Sequence, residues 1–258
     1  MIVDTNVSLG LWPFRRLPGD TPADLVARLK RRNVIQAWAG SFDGVFHRDL
    51  TSANTRLAKA CETAGAGFLV PFGSVNPKSP GWREDLRRCH EAHRMPGIRL
   101  HPNYHGYALT DPAFTEVLRE ARDRKLIVQL ALALEDERTQ HPLMRVPPVD
   151  PAPLARILRG VPDLRLVVLN RGREPAGEAL VELARAGDVY FDLAMIEGAG
   201  CAGALMSLIS PQRMVFGSHA PFQYFESALL KLKESAITGE PELAILEGNA
   251  KRLMKAAG

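Results

Sequence analysis

Cysteine is scarce here and unpaired. Across 258 residues only Cys61, Cys89 and Cys201 occur, far apart and without a CxxC spacing. That excludes a disulfide-stapled scaffold and implies reduced, mostly buried thiols in a cytosol-type compartment. Long basic runs are also missing. The densest patches, Lys30-Arg31-Arg32 and Arg83 through Arg88, read as solvated helix faces, and the formal charge is only +4. Without a basic surface interleaved with aromatics, nucleic acid is not an expected partner; a small anionic substrate fits the charge. No apolar stretch reaches the length of a membrane span, and the N-terminus has neither region of a signal peptide. The expected location is therefore cytoplasmic. Walker loop, HExxH, EF-hand loop and GxSxG elbow are all absent.

What is present is alternation. Apolar runs recur at Met1–Val7, Val34–Ala39, Gly67–Phe72, Gly97–Leu100, Leu126–Ala133, Leu164–Leu169, Val189–Leu193 and Met214–Phe216. Such near-continuous runs suit parallel strands covered on both faces. Amphipathic segments lie between them, several opened by a capping residue followed by proline: Thr21-Pro22, Asp111-Pro112 and Asp150-Pro151. Eight strand–helix repeats in this length predict one (β/α)8 TIM barrel over residues 1–258, rather than an open doubly wound sheet. The Ala133–Pro148 connection is long, charged and proline-containing, and reads as a loop at a strand end.

One glycine pattern asks for a dinucleotide. Gly198-Ala199-Gly200-Cys201-Ala202-Gly203 spells GxGxxG. It lies late in the chain, and no acid follows where a ribose would need one, so helix packing by small residues is the better reading; a phosphate subsite is the minor one.

Barrel chemistry is built where strands meet their C-terminal loops. In the opening stretch, Ile2-Val3-Asp4-Thr5-Asn6-Val7-Ser8-Leu9, strand alternation puts Asp4, Asn6 and Ser8 on one inward face, with Val7 and Leu9 on the other. Later strand ends add Ser74 and Asn76, then Arg99 and His101 with Tyr107 beyond, Gln129, Asn170-Arg171-Gly172-Arg173, Asp192, and Ser218-His219. Single residues of this kind are usually structural. Together they imply a polar cavity, because burying several polar groups costs free energy unless they are paired.

These strand ends resemble the amidohydrolase-related branch of the amidohydrolase superfamily, which holds metal-dependent hydrolases, decarboxylases and metal-independent lactonases. The resemblance covers essentially the whole chain. Relatives open with an Asp-Thr-His-x-His strand, here Asp4-Thr5-Asn6-Val7-Ser8. Their Gly-x-x-His-Pro segment is met around Gly97-Ile98-Arg99-Leu100-His101-Pro102, and their closing signature is intact at Gly248-Asn249-Ala250-Lys251-Arg252-Leu253. The metal ligands are not met. The strand-five histidine falls on Ala131, the strand-six histidine on Asn170, and the strand-eight aspartate on His219 within Gly217-Ser218-His219-Ala220-Pro221-Phe222. A catalytic zinc needs about three protein ligands; His101 and His219 alone do not supply them, so no metal or other cofactor is expected, a rearranged zinc site on these histidines being the minor alternative.

The resemblance thus implies a divergent member: a hydrolase or lyase for a small carboxylate or lactone, working without a metal. His219 stands as general base, with His101 and Asp4 as the other catalytic candidates. Substrate binding falls to Asn6, Ser8, Arg99, Tyr107, Gln129, Asn170, Arg171 and Arg173; the arginines suit a carboxylate, the amides and His101 an oxyanion. The alternative is an inactive barrel that binds a metabolite or a protein partner. A homo-oligomer is compatible with the sequence, with Trp12-Pro13-Phe14 and the Ala133–Pro148 loop at its interface.

Overall fold

The computed structural model describes residues 1–256. Its eight strands are β1 (Ile2–Leu9), β2 (Val34–Ser41), β3 (Leu69–Ser74), β4 (Gly97–Leu100), β5 (Ile127–Ala131), β6 (Arg165–Leu169), β7 (Asp188–Asp192) and β8 (Met214–Val215). They pair in parallel in sequence order. The ring closes where Thr5 N–H donates to the Phe216 carbonyl (2.8 Å), His219 N–H to that of Asn6 (2.8 Å) and Ser8 N–H to that of Ala220 (2.9 Å). The predicted TIM barrel is therefore present, and all eight apolar runs are its strands. No helix among the described residues is long and apolar enough to cross a membrane.

Helices follow the strands around the outside, the first being α1 (Pro22–Lys30). Thr21 caps it: its side chain accepts a bond from Asp24 N–H, and Pro22 sits at the first helical position. Leu25, Val26 and Leu29 make its buried face. Thr21→Ala is expected to lower stability by about 1 kcal/mol in urea denaturation; no change would mean that water replaces the cap. Asp111 repeats the device before the helix Pro112–Asp123. Asp150 does not. Its carboxylate bonds Ala152 N–H, but the helix begins only at Leu154, after a turn through Pro151 and Pro153.

β1 departs from simple alternation. Asp4 pairs with Ala37 and Val7 with Ala39, so three steps on β1 oppose two on β2 and the register slips between them. Val3 packs below the slip, with Trp38, Phe72, Ile127, Val167 and Val215 in the barrel's apolar floor. Val7 and Leu9 face the outer helices, as expected. Above the slip Asn6 and Ser8 point inward, but Asp4 does not share their face.

The glycine-rich segment packs a helix. Gly203 N–H donates to Ser235 Oγ (2.9 Å), and the space beside it is closed by that serine.

Candidate functional site

Above the apolar floor lies a polar layer. Arg99, 1% exposed, crosses the barrel from β4. Its Nε donates to Gln129 Oε1 (2.8 Å), Nη1 to the Val7 carbonyl (3.0 Å) and Ser8 Oγ (3.3 Å), and Nη2 to the Trp38 carbonyl (3.2 Å). Gln129 Nε2 in turn donates to the Thr5 carbonyl (2.6 Å). Burial pulls the guanidinium pKa down to about 10, opposed by the charges of Asp192 and Asp4, so it remains a cation at neutral pH. Gly40 makes room for it, since a Cβ there would lie 2.6 Å from Arg99 Nη1. Arg99, Gln129 and Ser8, expected to bind substrate, here bond to one another and to backbone carbonyls inside the barrel.

The next layer joins three strand ends. Asn6 Nδ2 donates to Asn170 Oδ1 (2.8 Å) and Asp192 Oδ2 (2.7 Å), and Asp192 Oδ1 accepts from Asn170 N–H (2.9 Å). Gly217 leaves the space for this pair; a Cβ there would sit 2.8 Å from Asp192 Oδ2 and 3.0 Å from Asn6 Cβ. Asp192 is buried, which pushes its pKa up to about 6, while bonds from Asn170 and Asn6 hold it from rising further. Asp4 also rises to about 6 through burial, against bonds from Ser218. Its Oδ1 accepts from Ser218 N–H (3.0 Å) and Asn6 N–H (3.1 Å), its Oδ2 from Ser218 Oγ (2.5 Å). Asp4 pegs β1 to the turn after β8 rather than facing an open mouth.

His101 and His219 stand above these groups, 2% and 1% exposed. Burial lowers both pKa values: His101 falls well below the usual range and His219 to about 4. His219 Nε2 is 2.7 Å from the Leu134 carbonyl, and a carbonyl only accepts, so Nε2 carries the proton. That leaves Nδ1 as the lone pair, 3.5 Å from Asn170 Nδ2. Asn170 and His219 both take positive φ, 55° and 57°, an uncommon backbone for residues other than glycine and one that collects at functional sites. His101 Nδ1 and Asn6 Oδ1 are buried without a partner.

An aromatic roof covers the mouth. Trp12 packs against Phe222 (4.7 Å between ring centres), Phe46 (5.0 Å), Phe42 (5.3 Å) and Phe14 (5.8 Å), and Phe222 stacks on His219 (5.0 Å). Beside the roof, over the ends of β5, β6 and β7, a cavity of about 450 Å³ remains open. Leu132, Pro148, Val149 and Met195 form its apolar walls; its polar side holds Asn170, Arg171 and Arg138 together with the acids Glu135, Asp136, Glu137, Glu174 and Glu197. Arg171 has no carboxylate partner within 4 Å among the described residues. Its Nη1 donates to the Pro175 carbonyl (2.7 Å) and its Nε is buried unpartnered. Arg173 also lines the cavity but is exposed and paired with Glu197 (3.0 Å). Tyr107 lies elsewhere, packed on Phe114 beside a separate proline-lined cavity of about 360 Å³.

Sequence reasoning overlooked two contributors. Lys231 reaches in from the helix Phe225–Glu234 to the Leu193 (2.9 Å) and Ala194 carbonyls and so fixes the end of β7. Glu135, 5% exposed, pairs with Arg15 across the mouth. Neither has a local signal, because each acts through a contact distant in sequence. Asp192 was visible as a strand end, but nothing in the sequence announced its pairing with Asn6.

The positions that the resemblance equates with metal ligands do not make a ligand set. Ala131 has no donor atom, the Asn6 amide spends its N–H groups on Asn170 and Asp192, and His219 Nε2 already holds a proton against Leu134. Among the described residues no three His, Cys, Asp or Glu side chains are grouped to hold a metal ion.

No curated protein matches the sequence. Several solved structures share the fold. An uncharacterized TIM-barrel protein from Bordetella bronchiseptica is 17% identical with a TM-score of 0.75, over 100% of this chain and 99% of that one. A 2,6-dihydroxybenzoate decarboxylase, solved with 2,6-dihydroxybenzoate, is 13% identical with a TM-score of 0.75, over 100% of both chains. A dihydroxybenzoic acid decarboxylase from Polaromonas sp. JS666, solved with manganese and 2-nitroresorcinol, is 12% identical with a TM-score of 0.70, over 98% of this chain and 97% of that one. At these identities the likeness speaks for the fold alone. The family model for amidohydrolases, however, matches residues 10–255, and the chain belongs to that family.

Proposed function

We propose that the protein is a hydrolase or lyase acting on a small carboxylate or lactone, without the metal that its decarboxylase neighbour carries. Arg171 holds the anion and His219 is the general base. The observation that supports this most is Arg171 itself: among the described residues it is a partly buried guanidinium on a cavity of about 450 Å³, with no carboxylate within 4 Å and a buried Nε left free, while the cavity acids Glu135, Asp136 and Glu197 are paired with Arg15, Arg138 and Arg173. Leaving such a donor unsatisfied costs free energy unless a ligand meets it. The neighbour that binds 2,6-dihydroxybenzoate lends support by analogy. In the chemical step His219 takes a proton from water or substrate, and Asn170 and His101 donate to the oxygen that gains charge. His219 needs the Leu134 carbonyl to withdraw first, since Nε2 is now a donor. Once hydrated, the imidazole regains a pKa nearer neutrality, because burial is what depresses it.

A second reading, binding without turnover, draws support from the mutual bonding of Asn6, Asn170 and Asp192, which leaves little unsatisfied in that layer. A panel of hydroxybenzoates and lactones separates the two, followed by CO2 release and acid production. Turnover is expected for at least one compound. Arg171→Met should raise KM at least tenfold with a smaller change in kcat, and His219→Ala should abolish turnover while binding persists. Full activity in both variants would remove the assignment. Binding without turnover across the panel would leave the second reading.

A further inference from the structure

Three consecutive residues at the end of β5 engage three different strand ends. The Ala133 carbonyl accepts from Asn170 Nδ2 (2.8 Å), after β6. The Leu134 carbonyl meets His219 Nε2 (2.7 Å), after β8. The Glu135 carboxylate pairs with Arg15, after β1. Arg15 lies over the Phe222 ring, 5.5 Å from its centre, and the same ring stacks on His219, so guanidinium and imidazole share one aromatic neighbour. Leu134 fills the apolar gap beneath, 4% exposed.

This is the contact pattern of a bound ligand. Two carbonyls and a carboxylate meet an amide, an imidazole and a guanidinium, the groups on which a carboxylate substrate would draw. The rest of the segment is tied to the body of the protein by few contacts, chiefly His141 stacked on Phe14 (5.3 Å) and Asn103 Nδ2 donating to the Pro147 carbonyl (3.0 Å). Gln140 ties it to itself, giving Nε2–H to the Val146 carbonyl (2.8 Å) and taking Val146 N–H (3.0 Å), while Leu143 is 89% exposed. A buried carboxylate facing a half-exposed arginine is also a replaceable contact, since a free carboxylate can make the same bonds.

We propose that Ala133-Leu134-Glu135 is an internal ligand that closes the mouth, and that a carboxylate compound opens it by replacing Glu135 on Arg15. The proposal rests on the reading of the mouth as a carboxylate site; it gives Arg15 a role in admitting a carboxylate distinct from that of Arg171 in holding the substrate, and adds what that reading lacks, a means of freeing His219. It also specifies ligand chemistry: a carboxylate joined to an amide carbonyl with the covalent spacing between the Leu134 carbonyl and the Glu135 side chain. N-acetylglutamate has that spacing; N-acetylglutamine has the same shape without the side-chain charge.

The test is hydrogen–deuterium exchange of residues 132–148, with calorimetric titration of both compounds. In Glu135→Gln, exchange in this segment should rise at least tenfold while the helices Leu50–Gly65 and Pro112–Asp123 are unchanged. N-acetylglutamate should raise it in the unaltered protein, and N-acetylglutamine should not. Glu135→Gln should bind N-acetylglutamate at least tenfold more tightly, because its competitor is gone. Arg15→Met, at a half-exposed position, should loosen the segment without any gain in affinity. Unchanged exchange in both variants would overturn the proposal, as would equal affinity of the unaltered protein and Glu135→Gln, or binding by neither. The enzymatic reading fails separately: a loosened segment and tighter binding with no turnover of any panel compound would sink it and leave the internal ligand standing.

Discussion

Replacing Arg99 by methionine is expected to destabilise the barrel by roughly 3–5 kcal/mol, the range for removing one partner from a buried charged network. Methionine fills most of the volume and none of the bonding. Gln129 Oε1 and the Val7 and Trp38 carbonyls would lose their donor inside a closed barrel, where water does not readily replace it. Asp4 and Asp192 would lose the cation whose field reaches them. Lysine should recover only part of the loss, because one ammonium cannot span acceptors spread across β1, β2 and β5. Urea denaturation at pH 7 reads the effect directly. A change below about 1 kcal/mol, the scale of one ordinary hydrogen bond, would show that the network is dispensable and Arg99 is free to serve a substrate.

The second large effect is a pH slope. Burial raises the Asp192 pKa from 3.8 to about 6, so between those values the folded protein holds a proton that the unfolded chain has released. Stability from this group is then greatest below pH 4 and is lost as pH rises through 6, by about 3 kcal/mol at about 1.4 kcal/mol per unit. Asp192→Asn cannot titrate. Its stability relative to the unaltered protein should therefore climb between pH 4 and 7 and level off above. Asp192 is one of the charges that raise Asp4, so the variant also lets Asp4 ionise more easily, which acts in the same direction. His219 contributes with opposite sign: its pKa is depressed to about 4, so its share of stability grows as pH rises toward the ordinary histidine value. That contribution is common to both proteins and cancels in the difference. Parallel stability curves over pH 4–7 would mean that Asp192 is not held protonated by the fold.

Much of the architecture was legible because it repeats. Each strand is a short apolar run and each crossover an amphipathic helix, so period and length alone locate them. Thr21 and Asp111 announced their helices through side-chain oxygens that bond the next turn. Asp150 misled, because the same Asp-Pro pair also starts a turn, and Pro153 postpones the helix to Leu154. Strand-end polarity was legible as a collection and not in its wiring. Arg99, Gln129 and Ser8 bond one another across strands, Tyr107 lies outside the mouth, and Asp4 falls below the slip in β1; none of these is set by neighbours in sequence. Closure by Ala133, Leu134 and Glu135 was hidden for a further reason. Two of its three contacts are made by backbone carbonyls, which every residue has.

The slip in β1 gives one strand two addresses. At Val3 it faces hydrocarbon packed inside the barrel; from Asn6 onward it faces amides and a guanidinium. A strand without slack would carry a single phase throughout, and any change of spacing that brought Asn6 inward would turn Val3 out. The extra residue uncouples them. The foundation of the barrel and the chemistry at its rim can therefore drift apart in composition, and a lineage can exchange histidines for asparagine and serine at the top while the bottom goes on folding as before.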